Sequence, residues 1–396
     1  MSSEKTIRIG LVGGGDNSFV GKVHLAAISK QGEGEIVCGA LGSTRHSSFE
    51  SGKKLGLPLK RIYGTYRDMF KRERTVSAKE RMQMVVILTP NTMHYPIAMS
   101  AIDARFPILS EKPFSSNLDE ALNLSRRVRD EKLIYGIAIP YEGYPVLQKA
   151  HALIHSDSAI GNIRKVVVEY QLGWLARRVE TDGHKQASWR TDPRRCGPAG
   201  CLVDHASHCF YLAEWLTGLK VTEVNADLRA TIAGRILDDD ATVLTRFENG
   251  ARGIFLTSQI AIGEHDGIHI RIYGDKGALE WNQGTPEKLV LRTLAGESET
   301  FEKGPAFKEL AALNESAPFG YEEAYINALA ECYSSFFEYL RNPRKSISEK
   351  AAFATVPNGL RTVTFIHTVL RNIAASEENS PASKWTALVV PPVPSL

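Results

Sequence analysis

The chain has 396 residues, 43% hydrophobic and 23% charged, a globular composition with length enough for two ordinary domains. A net charge of +3, carried by lysines and arginines scattered among acids, gives no footprint for nucleic acid. No apolar run approaches the roughly 20 residues of a membrane span. Met1 to Lys5 lacks the apolar core of a signal peptide, and five cysteines (Cys38, Cys196, Cys201, Cys209, Cys332) without framework spacing suit a reducing cytoplasm.

Thr6 to Val12 reads as a buried parallel strand. Gly13-Gly14-Gly15 follows at once, then Asp16-Asn17-Ser18-Phe19 and a helix through His24 to Ile28. Strand, glycine turn and helix are the context a dinucleotide fingerprint requires. Gly13 allows the tight turn and Gly15 lets backbone approach a pyrophosphate, with N–H groups at the helix start binding the anion. The third glycine position holds Ser18, with Gly21 three residues on. A plain turn is the bland alternative. The second strand, Glu35 to Leu41, is followed by Gly42-Ser43-Thr44-Arg45 without the carboxylate that an NAD site usually places there. Ser43 and Arg45 suit a 2′-phosphate, so the cofactor is NAD or NADP; as an alternative they are simple loop residues.

A helix from Phe49 to Leu55 and a short one around Met69 lead to the strand Met84 to Thr89. Thr89, Pro90, Asn91 and His94 lie at its carboxyl end, where open α/β sheets bind ligands. Asn91 and His94 are therefore candidates near the nicotinamide ribose, or else a helix cap and a surface histidine. After a helix to Asp103, the strand Ile108-Leu109-Ser110 runs into Glu111-Lys112-Pro113. A lysine at the end of a core strand is unusual unless its ammonium has work there. Pro113 biases Lys112 toward extended backbone, which gives the ammonium a defined direction. A helix from Asn117 to Asp130 and a strand from Leu133 to Ala138 close the βαβ series.

The pattern changes near Pro140 to Pro145. A helix to about Ser156 is followed by strands over Ile163–Tyr170, Val221–Ile232, Ala241–Glu248, Gly253–Gln259, Gly267–Tyr273, Ala278–Trp281 and Lys288–Arg292. Turns such as Glu248-Asn249-Gly250 mark an antiparallel sheet. Helices return between Tyr321 and Asn342 and between Glu349 and Ala374; Glu302 to Glu315 reads as loop with some helix, and the Pro-rich tail as extended. The expected class is α/β, with a doubly wound parallel sheet in residues 1–140 and an α+β domain in residues 141–396.

Within the second domain, Gly197 to Cys209 ends a loop and begins a helix. Asp204 and His208 stand at i and i+4, on one face. A carboxylate there can orient an imidazole as a general base. A structural pair, or a metal site with His205 and Cys201 or Cys209, are the alternatives, although Asp204 and His205 point about 100° apart on an α-helix. Upstream, Trp174, Lys185, Gln186, Trp189 and Arg190 interleave aromatic and polar groups, as suits a polyhydroxylated ring or an interface anchor. Tyr141 and Tyr144 could line the same pocket.

The glycine turn, Thr89 to His94, Glu111-Lys112-Pro113 and the run from Gly200 through Asp204 to His208 resemble the Gfo/Idh/MocA oxidoreductases, the glucose-fructose oxidoreductase and inositol dehydrogenase family, from about Ile7 to Leu370. Ser18 and Leu41-Gly42 depart from the family pattern. The resemblance implies a Rossmann domain plus a domain with a large open, mainly antiparallel sheet, whose face often lies between subunits of a homodimer or homotetramer. It implies that Lys112 contacts the reacting hydroxyl and nicotinamide, that Asp204 bonds substrate and orients the base, and that His208 takes the proton. Glu111 and Lys112 join the expected cofactor contacts. The function expected is NAD(P)-dependent hydride transfer at a secondary hydroxyl of a sugar, sugar derivative or cyclitol, in the cytoplasm, without metal. The alternatives are a glycosidase or lyase that recycles its cofactor through transient oxidation, and a nonenzymatic NAD(P)-binding sensor.

Overall fold

The computed structural model describes residues 6–16, 18–265, 267–302, 323–342, 351–377 and 385–393. They divide into two compact units, one drawn from Met1–Gly143, Ala317–Leu360 and Pro392–Leu396 and the other from Tyr144–Ser316 and Arg361–Pro391. Among the described residues no helix is long and apolar enough to cross a membrane, and all five cysteines are buried thiols outside any disulfide.

The first unit is a parallel sheet of β1 (Ile7–Gly13), β2 (Gly34–Ala40), β3 (Met84–Leu88), β4 (Ile108–Ser110) and β5 (Tyr135–Ile137), in the order β2-β1-β3-β4-β5. Helices α1 (Phe19–Gln31), α2 (Arg45–Lys54), α3 (Tyr66–Glu73), α4 (His94–Asp103) and α5 (Leu118–Glu131) connect the strands. Every residue of β3 is buried, as a strand covered on both faces requires. The strand order reverses between β1 and β3, and the crevice at their carboxyl ends is where such sheets bind ligands.

The last helix of this unit comes from far along the chain. In α10 (Glu323–Arg341), Tyr333, Phe336 and Phe337 join one apolar cluster with Ile7, Ile9, Val86 and Leu109 of the parallel sheet. The sequence reading had assigned all of 141–396 to the second domain. The apolar face of α10 instead completes the core of the first.

The second unit holds α6 (Pro145–His155), β6 (Ile163–Gln171), the short α7 (Lys185–Arg190) and α8 (Pro193–Cys196), then α9 (Ser207–Thr217). Seven strands follow: β7 (Val221–Arg229), β8 (Asp240–Phe247), β9 (Arg252–Ser258), β10 (Ile268–Gly274), β11 (Gly277–Asn282), β12 (Lys288–Thr293) and β13 (Ser298–Glu302). The chain then adds α11 (Val356–Glu377) and β14 (Thr386–Ala387). The nine strands order as β13-β12-β11-β10-β6-β9-β8-β7-β14, antiparallel except for β6 beside β9. Burial alternates along β8 and β10, so one sheet face is core and the other half-exposed.

The sequence reading missed β13, β14 and the short helices α7 and α8. It also carried β7 to Ile232, but the strand stops at Arg229 because Thr231 and Ile232 turn their N–H groups to the Asp239 carboxylate. Most of the segment Glu302 to Glu315 lies outside the described residues.

Candidate active site

At the β1 carboxyl end, Gly13 and Gly14 take positive φ values of 80° and 71°, which only glycine adopts cheaply. A side chain at Gly15 would put its Cβ 2.3 Å from the Leu41 carbonyl oxygen. One at Gly21 would come within 2.4 Å of the Gly14 carbonyl oxygen. Gly21 therefore performs the close helix-to-turn packing of the third glycine. Ser18 is the N-cap of α1, its Oγ accepting from Gly21 N at 3.0 Å.

Several expected cofactor contacts are otherwise engaged. Asp16 N–H donates to Ser51 Oγ at 3.2 Å, its carboxylate pairs with Lys54, and Ser18 N–H donates to Gly15 O at 2.7 Å. Asn17 lies outside the described residues. Phe19 opens α1. At the β2 end, Gly42 has no room for an acid: a Cβ would sit 2.2 Å from Ser47 Oγ and 2.7 Å from Ser48 N. Ser43 and Arg45 beside it are exposed, with the Arg45 guanidinium 5.4 Å from the Phe49 ring centre.

After β3, Pro90 precedes a single 3₁₀ turn, Asn91–Met93, in which Asn91 is buried. Thr89 Oγ1 is buried without a partner among the described residues. His94 is fully buried, its Nδ1 2.8 Å from Pro113 O and its Nε2 2.9 Å from Thr89 O. Burial pushes this imidazole down, against the two carbonyls, which favour its charged form. With one ring nitrogen near each of two backbone carbonyls, His94 lies buried between the β3 end and the Glu-Lys-Pro turn and is not a surface histidine.

In that turn Lys112 is half-buried and its peptide bond to Pro113 is cis. Glu111 is engaged by both oxygens. His24 Nε2 lies 2.9 Å from Oε1, and Lys112 N–H donates to Oε2 at 3.2 Å. Burial alone would raise the Glu111 carboxyl; the His24 hydrogen bond and the Lys112 charge bring it below the usual glutamate range.

In the second unit, Leu202–Ala206 is a π-helical turn leading into α9. The sequence reading expected plain α-helix here. The start of this turn is held by a residue that reading passed over: Asp238 accepts from Gly200 N at 2.6 Å and from Leu202 N at 2.7 Å. Gly200 must be glycine, since a Cβ would sit 2.3 Å from Asp238 O. Burial raises the Asp238 carboxyl to about 6, against the two N–H bonds that lower it.

Asp204 Oδ2 accepts from Arg190 Nε at 3.1 Å and from Gln259 Nε2 at 3.3 Å. His205 does not point clear of it, as its Nε2 lies 3.9 Å from the same oxygen. The His205 ring stacks on Tyr170 at 4.4 Å, and His208 meets the edge of that ring at 5.7 Å. The expected substrate contacts of α7 hold one another. Arg190 Nη1 and Trp189 Nε1 both donate to Gln186 Oε1, and the Arg190 guanidinium lies 4.2 Å and 5.7 Å from the Trp189 and Trp174 ring centres. Lys185 is exposed. Tyr141 and Tyr144, expected in a pocket, are both 2% exposed; Tyr144 accepts from Gln283 and meets Trp281 edge-on.

The family model described as "Oxidoreductase family, NAD-binding Rossmann fold" matches residues 7–139, and the Gfo/Idh/MocA C-terminal domain matches residues 147–280. The chain belongs to the Gfo/Idh/MocA oxidoreductases. It is 27% identical over 375 residues to the uncharacterized oxidoreductase YfiI of Bacillus subtilis (strain 168), spanning 93% of this chain and 95% of that one. It is 27% identical to levoglucosan dehydrogenase of Pseudarthrobacter phenanthrenivorans, over 72% of this chain and 76% of that one. The crystal structure of an inositol dehydrogenase homolog complexed with NAD+ from Azotobacter vinelandii superposes with a TM-score of 0.85 at 26% identity, covering 97% of this chain and 98% of that one.

The residues present fit the dinucleotide of a Gfo/Idh/MocA oxidoreductase. The Gly13–Gly15 turn is shaped so that no Cβ blocks the backbone, and Thr89 holds a buried hydroxyl in reserve at the adjacent strand end. Among the described residues no group of three or more His, Cys, Asp or Glu side chains gathers as metal ligands would. His24, Tyr170, Asp238, Gln259 and Tyr333 are the site-building residues that sequence reasoning missed.

Proposed function

We propose that the chain is an NAD(P)-dependent dehydrogenase acting on a secondary hydroxyl of a sugar, sugar derivative or cyclitol. The observation that carries this reading is Asp204, a carboxylate fixed by Arg190 and Gln259 in the turn that leads to His208. The relatives named for levoglucosan and inositol support the substrate class. Bound nicotinamide supplies the hydride acceptor. His208 takes the hydroxyl proton as the carbon gives up its hydride, so alcohol becomes ketone. Lys112 stabilises the developing alkoxide, help commonly worth about 3 kcal/mol. Asp204, held by its two donors, accepts a hydrogen bond from the substrate hydroxyl.

The finer cofactor reading is tolerance of NADP. Position 42 cannot carry a carboxylate, and Ser43 and Arg45 beside it offer donors to a 2′-phosphate. The half-exposed face of the nine-stranded sheet, lined by Val167, Ile254, Leu256 and Tyr273 with Lys165, Glu169 and Arg271, supports assembly into a homodimer or homotetramer. The deciding experiment is a screen of levoglucosan, inositols and free sugars with each dinucleotide, following reduced-cofactor absorbance. Stoichiometric release of NADH or NADPH with one of them is the expected result. Product formation without net cofactor reduction would replace the dehydrogenase reading with a cofactor-recycling one.

A further inference from the structure

The Glu-Lys-Pro turn is gripped on both sides of Lys112 by buried histidines. His94 holds the Pro113 carbonyl, 2.8 Å from Nδ1. On the other side His24, 1% exposed on α1, reaches Glu111 with Nε2 at 2.9 Å and the Tyr333 hydroxyl with Nδ1 at 2.6 Å. Tyr333, on α10, is completely buried within the apolar cluster of the first unit. Buried polar groups of this kind are costly unless every member is satisfied. Here one arrangement satisfies all of them with a neutral ring. The Tyr333 hydroxyl donates to Nδ1, the Nε2–H donates to Glu111 Oε1, and Glu111 Oε2 accepts the Lys112 N–H. Glu111 N–H is itself fixed to Ile87 O at 2.9 Å, on β3.

We propose that Tyr333, His24 and Glu111 form a positioning chain that fixes the backbone of Lys112, and that Glu111 is not a cofactor ligand. A lysine ammonium rides on a flexible four-carbon stem, so its reach is set by where the backbone starts it. A catalytic group misplaced by about 1 Å can cost 10²-fold in rate. The chain also gives α10 a catalytic consequence, because Tyr333 stands 309 residues after His24. The proposal rests on the role given to Lys112 above.

The test uses the full chain with Tyr333→Phe, His24→Gln, Glu111→Ala and Glu111→Gln. Three quantities are read: amide hydrogen exchange of peptides covering residues 108–114, NAD affinity by calorimetry, and turnover per NAD-binding site with levoglucosan and myo-inositol as probes. Tyr333→Phe, His24→Gln and Glu111→Ala should each raise exchange in that peptide about tenfold while the β1 peptide stays protected. NAD affinity should hold within about twofold, and turnover per site should fall about tenfold or more. Glu111→Gln should retain turnover within about threefold, because reversing the His24 tautomer lets the amide continue the chain. Weakened NAD binding with unchanged exchange would make Glu111 a cofactor ligand and overturn the proposal. Unchanged exchange and turnover would reduce the chain to core packing. If the native protein turns over neither probe, the functional reading fails separately, and exchange with NAD affinity still decides the chain.

Discussion

Gly21→Ala tests whether the glycine six residues beyond Gly15 does the work of the missing third glycine. Its Cβ would lie 2.4 Å from Gly14 O and 2.7 Å from Gly14 C and Cα, all backbone atoms that no rotamer can move. Ordinary contact starts at 3.4 Å, so α1 must retreat by about 1 Å from the turn. Overpacking of this kind costs about 1–3 kcal/mol. Alanine regains up to ~1 kcal/mol of helix propensity, so the net loss in stability is about 1 kcal/mol. The larger effect falls on binding, since retreat of α1 displaces the backbone expected to face the pyrophosphate. NAD affinity should weaken about tenfold, equivalent to ~1.4 kcal/mol. Calorimetric titration with NAD and thermal unfolding measure the two effects, with exposed Lys22→Ala as the control on the same helix. Ser18→Gly, which restores the literal motif, should not tighten NAD, and should cost only a few tenths of a kcal/mol as a cap. Wild-type affinity in Gly21→Ala, or tighter binding in Ser18→Gly, would refute the assignment.

Three further outcomes are expected. Asp238 has a folded-state value near 6 against 3.8, so its stabilising share is complete below about 3.8 and is lost as pH rises through 6. The stability of wild type relative to Asp238→Asn should therefore fall by roughly 2 kcal/mol from pH 4 to 7, and a flat or rising difference in denaturant titrations would contradict it. Arg45→Ala should weaken NADP about tenfold and leave NAD nearly unchanged; equal effects in parallel titrations would make Arg45 a plain surface residue. His208→Asn should cut oxidation by roughly 10²-fold and abolish the acid limb of the pH–rate profile. His205→Asn should lower the rate through Asp204 and Tyr170 while keeping that limb, and loss of the limb in His205→Asn instead would move the base to His205.

Strands and helices of the first unit were legible because their signals are local. Met84 to Leu88 is an unbroken apolar run, and the structure buries all five residues. The glycine turn was legible for the same reason, since its purpose is written in adjacent positive-φ positions. Gly21 was harder: the fingerprint is a spacing, and spacing does not say which glycine meets the turn. The π-helical turn at Leu202–Ala206 was invisible, because i→i+4 periodicity describes it nearly as well as an α-helix.

What sequence could not supply is the choice of partner. Arg190, Trp189 and Gln186 read in sequence as aromatic and polar groups suited to a polyhydroxylated ring; the structure adds that Arg190 reaches Asp204 while Gln186 accepts from both Arg190 and Trp189. The same holds for histidines. His94 and His24 carry no local mark of their fate, since a buried tie and a surface ligand have the same neighbours in sequence. Tyr333 shows why most sharply. Its helix is amphipathic, and periodicity correctly turns the residue inward, yet an inward tyrosine always needs a hydroxyl partner. That partner is on α1, on the far side of a whole second unit in sequence, so the helix that looked like part of the C-terminal domain delivers a polar tip to His24, which in turn holds Glu111 beside Lys112. Burial pattern tells which face of an element is inside; only the assembled core tells whose inside it is.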